Sequence, residues 1–213
     1  MAHTANHENA GTGNFLFVGE HLALDFANTL LAANGEPVET LNTLDDVLDW
    51  LVFAYLITDV EKQSLAADLE SSAKPLGLLE QLRTLRDSWK INLERLCEGK
   101  TISHDFLNRI NELLKPALTR HSLLQEVSAR KFHIHSEHVP LEPAKKILAL
   151  VAGEMAKFLN SANLKYLRRC AGNDCVIFFY DTTKSHRRQW CSMAICGNRH
   201  KVAKFRAKEK NGH

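Results

Sequence analysis

The sequence predicts an α+β chain, with a mostly helical N-terminal domain that has short β-hairpins and a small C-terminal module built around four cysteines. Apolar residues recur at helical spacing through most of residues 43–161. Four of the five cysteines lie between residues 170 and 196. Residues 165–213 contain twelve Lys and Arg against three Asp and Glu, a net charge of +9, whereas residues 1–164 have a net charge of −7. The basic charge therefore belongs to the cysteine-containing end, which favours an anionic partner there.

The composition excludes several classes of protein. The chain has 213 residues, of which 45% are hydrophobic and 24% are charged, as in an ordinary globular protein and unlike a disordered or fibrous one. No stretch approaches the roughly 20 apolar residues of a membrane-spanning helix. Residues 1–14 are polar and lack the apolar core of a secretory signal. We therefore expect a cytoplasmic protein without a membrane partner, whose cysteines are reduced thiols available to a metal.

The N-terminal domain is expected to span residues 14–162, after a flexible segment at residues 1–13. Apolar residues alternate in Phe15–Val18 and Leu22–Phe26, which predicts a first hairpin. Capping residues and helical periodicity then predict the remaining elements. In chain order these are a helix capped by Thr43, a helix from about Asp59, a helix from Pro75 to Cys97, a helix from Ser103 to Leu114, a hairpin of Leu123–Val127 and Lys131–His135, and a helix from Pro143.

The four clustered cysteines predict a zinc site. Cys170 and Cys175 are separated by four residues, Cys191 and Cys196 by four, and the two pairs by fifteen. Tetrahedral zinc is commonly bound by two such pairs of thiolates. Buried free cysteines would not produce a duplicated spacing, and a redox dithiol usually has two intervening residues. Four thiolates leave no open coordination position, so we expect one structural zinc per chain and no enzymatic activity.

The basic residues of the module predict a nucleic-acid-binding surface. The sequence after Cys196 is a strong helix former, in which Val202 and Phe205 form a narrow apolar stripe that we expect to pack on the module. The opposite face, with cations on both edges, is then free to approach a duplex. That face contains His200, Ala203 and Ala207. The candidate contacts to double-stranded DNA are Arg187, Arg188, Arg199, Lys201, Lys204, Arg206 and Lys208.

The module, at residues 163–213, is expected to have its own small core. Val176–Tyr180 predicts a short strand on which Phe178 and Tyr180 share one face. We expect these aromatic rings to form the core of the module, and the alternative is that they stack on nucleic-acid bases. With separate cores, loss of the metal should unfold the module and leave the N-terminal domain folded.

Three polar residues interrupt the apolar start of the N-terminal domain: Asp25, Asn28 and Thr29. One interpretation is that their side chains bond to the backbone of their own turn and of a helix end. The other interpretation is a ligand site for a small-molecule effector. We favour the structural interpretation.

Two parts of the sequence resemble known families. The C-terminal part resembles the CGNR zinc finger, through the four cysteines, the approach Arg187-Arg188-Gln189-Trp190-Cys191 and the ending Cys196-Gly197-Asn198-Arg199. The N-terminal part is similar to the ABATE domain, mainly through Leu24-Asp25-Phe26-Ala27-Asn28-Thr29, with Val47–Leu51 following. Glu20 stands where that family more often has glycine, and Gln189 interrupts the usual Arg-Arg-Trp run.

The resemblance implies a bacterial, stress-induced transcription regulator that binds DNA through the positive charge of its finger. We therefore predict a DNA-binding transcription regulator with a structural zinc ion. The alternatives are an RNA-binding or protein-interaction module held together by zinc, and an enzyme with a pocket near Asp25. The identity of an effector and the formation of a homodimer stay open.

Overall fold

The computed structural model describes residues 15–33, 35–71, 77–115, 119–126, 131–138 and 141–210. These ranges contain seven α-helices and three two-stranded antiparallel sheets, which confirms the predicted α+β class. The elements are α1 (Leu22–Ala27), β1 (Leu30–Ala33), β2 (Glu36–Glu39), α2 (Leu44–Phe53), α3 (Asp59–Ser71), α4 (Leu78–Cys97), α5 (His104–Leu114), β3 (Thr119–Glu126), β4 (Lys131–His138), α6 (Pro143–Ser161), β5 (Leu167–Arg169), β6 (Phe178–Tyr180) and α7 (Asn198–Lys210).

Most of the predicted helices are present with the expected caps. Thr43 and Asp46 form a capping box at α2, and the Ser103 side chain accepts the N–H of Phe106 at α5. The long helix α4 begins at Leu78, after Gly77 with φ +84°, near the predicted start at about residue 75, and it ends at Cys97 as predicted. The flexible segment predicted for residues 1–13 lies outside the described residues. In the described part of the chain, no helix is long and apolar enough to cross a membrane.

The predicted first hairpin is wrong, because Leu22–Ala27 forms the helix α1. The apolar residues there do not alternate between a core face and solvent, since residues 23–27 are all buried. The first hairpin is instead β1–β2, in which Ala33 pairs with Glu36 and Gly35 has φ +87°. The sequence Asn34-Gly35 is a recognised signal for such a two-residue connection, and it was missed.

The main core forms around α4. Leu82, Leu85, Trp89 and Leu93 of this helix are buried, and α4 contacts α1, α2, α5 and β5. The indole Nε1 of Trp89 donates to the carbonyl oxygen of Ala23 at 2.8 Å, which satisfies its polar atom inside the core. The helix α4 thus positions α1, which contains Asp25 and is followed directly by Asn28 and Thr29.

The C-terminal module shares this core. A 3₁₀ turn at Leu164–Tyr166 leads from α6 into β5, which pairs antiparallel with β6. Leu167 of β5 and Phe178 of β6 are buried in the same apolar cluster as the helices. A second cluster combines Ile177, Phe179 and the cysteines with partly buried residues of the N-terminal domain, namely Leu16, Val18 and Leu31. The expectation of two separate cores is therefore wrong.

Candidate metal centre

The four predicted cysteine ligands come together at one place. The sulfur atoms of Cys170, Cys175, Cys191 and Cys196 all lie within 4.8 Å of one another. The Sγ of Cys191 is 3.8 Å from that of Cys175 and 3.6 Å from that of Cys196. Three of the residues are buried and Cys175 is half-buried. The arrangement is a four-cysteine metal site that is largely closed to solvent.

Local backbone structure explains how each pair converges. The N–H of Cys170 donates to the carbonyl of Ile177 at 2.9 Å, next to the paired residues of β5 and β6, and the N–H of Cys175 donates to the carbonyl of Gly172 at 3.0 Å. A Cβ at Gly172 would lie 3.1 Å from the Cβ of Cys175 and 3.5 Å from the Sγ of Cys196, so a side chain at this position would crowd the knuckle. The second pair enters a π-helical turn, Met193–Gly197, which leads directly into α7.

The electrostatics of the cluster favour a bound cation. The N–H of Cys191 donates to the Sγ of Cys170 at 3.3 Å, as expected for a thiolate ligand. Hydrogen bonds to Cys170 and Cys175, together with burial, raise the pKa of Cys191 above its ordinary range. All four sulfurs can therefore be thiolates only when a divalent cation compensates their charge. The residues fit a soft metal held by four thiolates.

The guanidinium group of Arg188 makes all of its described contacts with other residues of the chain. Its Nε donates to the carbonyl of Trp190 at 3.0 Å, and its Nη2 donates to the carbonyl of Cys191. Its Nη1 lies 3.2 Å from the Glu20 carboxylate, and its guanidinium lies 4.5 Å from the ring centre of Phe179. These contacts occupy the guanidinium, which removes Arg188 from the set of cations free to bind phosphate.

Glu20 explains one departure from the ABATE pattern. Its φ of +67° lies in the left-handed region, where glycine is relaxed and other residues are strained. The side chain that replaces the usual glycine pairs with Arg188 of the module. This contact links the two parts of the chain.

The remaining predicted cations lie on the surface. Arg187, Arg199, Lys201, Lys204 and Arg206 are exposed, and none of them forms an ion pair with another described residue. The side chain of the further candidate, Lys208, lies outside the described part.

The packing predicted for α7 is wrong. Val202 and Phe205 were expected to lie against the module, but they are 49% and 63% exposed. His200 of α7 does contact the module, since its ring centre lies 4.7 Å from that of Trp190. The apolar stripe itself is exposed.

Asp25, Asn28 and Thr29 are buried and engaged with backbone groups. One oxygen of Asp25 accepts the N–H groups of Val18 and Gly19 at 2.9 and 2.7 Å. The hydroxyl of Thr29 donates to the carbonyl of Phe26 at 2.7 Å. These are the bonds that the structural interpretation predicts for Asp25 and Thr29.

Asn28 has a partner that sequence reasoning did not find. Its side-chain Nδ2 donates to the carbonyl of Phe178 at 2.8 Å, and its Oδ1 accepts the N–H of Phe178 at 2.9 Å. The side chain therefore extends the edge of β6 and connects α1 to the module. No sequence signal relates residues that lie 150 positions apart.

Lys90 of α4 is a second connection that was missed. Its Nζ donates to the carbonyls of Ala27, Leu30 and Val176 at 3.1 to 3.3 Å. Burial lowers the pKa of Lys90 to about 8. The ammonium group joins the end of α1, the start of β1 and the module.

The enzyme alternative depended on a cleft with ionisable groups around Asp25. Two cavities, of about 240 and 310 Å³, lie between α4 and α5 and beside the C-terminal end of α4. Asp25 lines neither cavity, and its side chain is turned toward backbone donors.

Replacement of Asp25 should separate its hydrogen bonds from its charge. Asp25→Ala leaves two buried N–H groups without an acceptor and should cost about 1–3 kcal/mol for each. Asp25→Asn keeps an oxygen acceptor. Burial, opposed by the N–H groups of Gly19 and Val18, raises the pKa of Asp25 from 3.8 to about 7. At a pH between 3.8 and about 7, Asp25 is therefore protonated in the folded chain and ionised in the unfolded chain.

The contribution of Asp25 to the free energy of unfolding should therefore fall as the pH rises from about 4 to about 7. Urea denaturation at several pH values checks this expectation. Wild type should lose stability relative to Asp25→Asn as the pH rises through this range. Parallel pH curves for the two proteins, or an Asp25→Ala variant as stable as wild type, would contradict the structural role.

Comparison with known protein families gives two matches. Residues 20–162 match the ABATE family, described as a "putative stress-induced transcription regulator". Residues 166–209 match the CGNR zinc finger, which contains the four clustered cysteines. No functionally curated protein matches the chain. Both resemblances are thus confirmed, and the chain belongs to the ABATE family and has a C-terminal CGNR zinc finger.

Proposed function

We propose that the chain is a DNA-binding transcription regulator whose finger is stabilised by one zinc ion. The observation that supports this proposal most is the distribution of cations on the finger. Five of the predicted contact residues have side chains that are exposed and form no ion pair within the described residues. These are Arg187, Arg199, Lys201, Lys204 and Arg206. Such a surface suits a polyanion, because it binds through charge without first breaking internal salt bridges.

Zinc is the metal that the geometry of the cysteines suits best. Tetrahedral zinc with Zn–S bonds of about 2.3 Å implies sulfur–sulfur distances of about 3.8 Å. The two distances measured from the Sγ of Cys191 are 3.6 and 3.8 Å. Four protein ligands leave no position for substrate or water, so we assign the ion a structural role and propose no catalytic one.

Duplex DNA fits the shape of the basic surface better than double-stranded RNA. The helix α7 is exposed along residues 198–206. The major groove of B-DNA admits a helix, whereas that of A-form RNA is too deep and narrow for side chains to read. An RNA or an acidic protein that binds more tightly than DNA would favour the alternative of an interaction module.

The N-terminal domain is positioned to influence the finger. Three of its side chains contact the finger. The side chains of Asn28 and Lys90 donate to backbone carbonyls of the finger, and Glu20 forms an ion pair with Arg188. We propose that the domain acts as the regulatory part of the chain and that an effector, if one binds, acts through these contacts.

Binding of a duplex should depend steeply on salt. The logarithm of affinity should fall by about 0.9 for each phosphate contact per tenfold increase in salt. Lys204→Ala should weaken binding to all sequences alike and lower this slope by about one contact. Lys157→Ala, on α6, is the matched control, because its side chain is exposed and lies outside the finger. Fluorescence anisotropy with a labelled duplex measures both quantities.

Two results would contradict the proposal. One is affinity for DNA that does not change with salt. The other is an equal loss of affinity in Lys204→Ala and in the Lys157→Ala control. Zinc content and thermal unfolding of both variants should match wild type, which confirms that only a surface charge has changed.

A further inference from the structure

We propose that Val202 and Phe205 contact thymine methyl groups in the major groove and give the finger a preference for A·T base pairs. This inference rests on the proposed binding of duplex DNA and specifies which face of α7 meets the bases. The sequence pattern assigned that role to the face with His200 and Ala203. In the structure His200 lies against Trp190 of the finger, whereas Val202 and Phe205 are exposed.

One aromatic contact lies on the side of α7 opposite the apolar stripe. His200 lies beside Trp190, with ring centres 4.7 Å apart. At 100° per residue, Val202 and Phe205 lie about 140–160° around the helix from His200. Val202 and Phe205 are 49% and 63% exposed. The apolar stripe is therefore open to a partner.

The charges beside the stripe identify the kind of partner. Arg199 and Arg206 lie on one side of the stripe, and Lys201 and Lys204 on the other, as helical geometry places them. Glu209 is the single acidic residue in the sequence of α7. A second copy of α7 packed on this stripe would bring like charges together, which is unfavourable. The stripe therefore suits a partner with negative charge on both sides of an apolar strip.

The major groove of DNA has this arrangement. Rows of phosphates border it, and the C5-methyl group of thymine is the apolar feature of its floor. Apolar side chains recognise thymine through this methyl group. Met193 and Ile195, in the turn before α7, are also exposed, at 53% and 43%, and extend the apolar surface at the start of the helix. Phosphate contacts by the flanking cations would hold Val202 and Phe205 against the bases.

Replacement of thymine by deoxyuridine tests this proposal, because it removes the methyl group alone. The probes are an A·T-rich duplex of about 20 base pairs, two helical turns, and the same duplex with deoxyuridine at every thymine. Zinc-loaded wild type should bind the thymine duplex more tightly, by about fourfold for each methyl group buried. Phe205→Ala should have a smaller thymine preference than wild type, and the double variant Val202→Ala/Phe205→Ala should bind both duplexes with the same affinity. Ile91→Ala is the matched control, because Ile91 is 61% exposed on α4 and should keep the thymine preference.

The outcomes separate this proposal from the proposed function. Wild-type binding that depends on salt but is equal for both duplexes overturns the thymine contact and leaves DNA binding intact. A thymine preference that persists in the double variant Val202→Ala/Phe205→Ala also overturns it. Binding of neither duplex overturns both proposals. Matching melting temperatures and zinc contents show that these exposed substitutions have not unfolded the finger.

Discussion

Cys191→Ser should abolish metal binding and destabilise the whole chain, including the N-terminal domain. Loss of one thiolate opens the shell, and structural zinc provides much of the folding free energy of small modules. Phe178 and Leu167 of the finger are buried in the core that the helices share. An unfolded finger would expose this core. We expect a loss of about 3–5 kcal/mol, which lowers the unfolding temperature by about 6–20 °C at about 2–4 °C per kcal/mol.

Elemental analysis and circular dichroism measure the two parts of this expectation. Wild type should contain one zinc per chain, and the variant should contain none. Cys97→Ser is the control, because Cys97 is an exposed cysteine on α4 and lies outside the cluster. Unchanged metal content in Cys191→Ser would refute the metal site. A metal-free variant that melts like wild type would refute the shared core.

Asn28→Ala should strongly destabilise the chain while leaving the metal ligands intact. It removes two hydrogen bonds and leaves the buried N–H and carbonyl of Phe178 without partners. Each unsatisfied group costs about 1–3 kcal/mol, so we expect a total loss of about 2–6 kcal/mol. Asn28 is fully buried, so no water can replace the amide without a rearrangement of α1.

Asn108→Ala on the exposed surface of α5 is the control for Asn28→Ala. Its amide lies 3.0 Å from a ring nitrogen of His104, a local contact within one helix. Thermal unfolding of both variants gives the comparison. Equal stability of the two variants would show that Asn28 does not join the domain to the finger.

The metal site was predictable from the sequence because its information is local. Two cysteine pairs with equal spacing, and Gly172 within the first pair, specify a knuckle and a ligand set without reference to the rest of the fold. The helices α2, α4, α5 and α6 were predictable for a similar reason. Apolar periodicity and caps such as Thr43 act within a few turns of chain.

The connections between the two parts of the chain were not predictable, because they depend on tertiary contacts. Asn28 bonds to a residue 150 positions away, and Arg188 bonds to Glu20. Arg188 looked like a phosphate contact because it lies in a basic sequence, but basic composition does not show which cations are already paired. The segment Leu22–Phe26 was predicted as a strand. Its helix is buried on all sides over residues 23–27, so the sequence has no polar face that would reveal a helical period.

The exposed face of α7 could not be predicted either, because it also depends on tertiary contacts. Its apolar pair was expected to pack inward, as amphipathic helices commonly do. His200 contacts Trp190, in the loop before the second cysteine pair, and the apolar pair is exposed. The surface charge of the finger was predictable, whereas the exposure of Val202 and Phe205 required the structure.

Mapping of the sites that the protein occupies on its native chromosome tests the central claim most directly. Wild type should be compared with a variant in which Lys201, Lys204 and Arg206 are all replaced by alanine. These side chains are exposed and form no ion pair with other described residues, so the variant should keep its zinc and its stability. We predict reproducible enrichment of discrete sites with wild type and loss of that enrichment in the variant. Equal enrichment with both proteins, or no enrichment with wild type, would contradict a DNA-binding role for the finger.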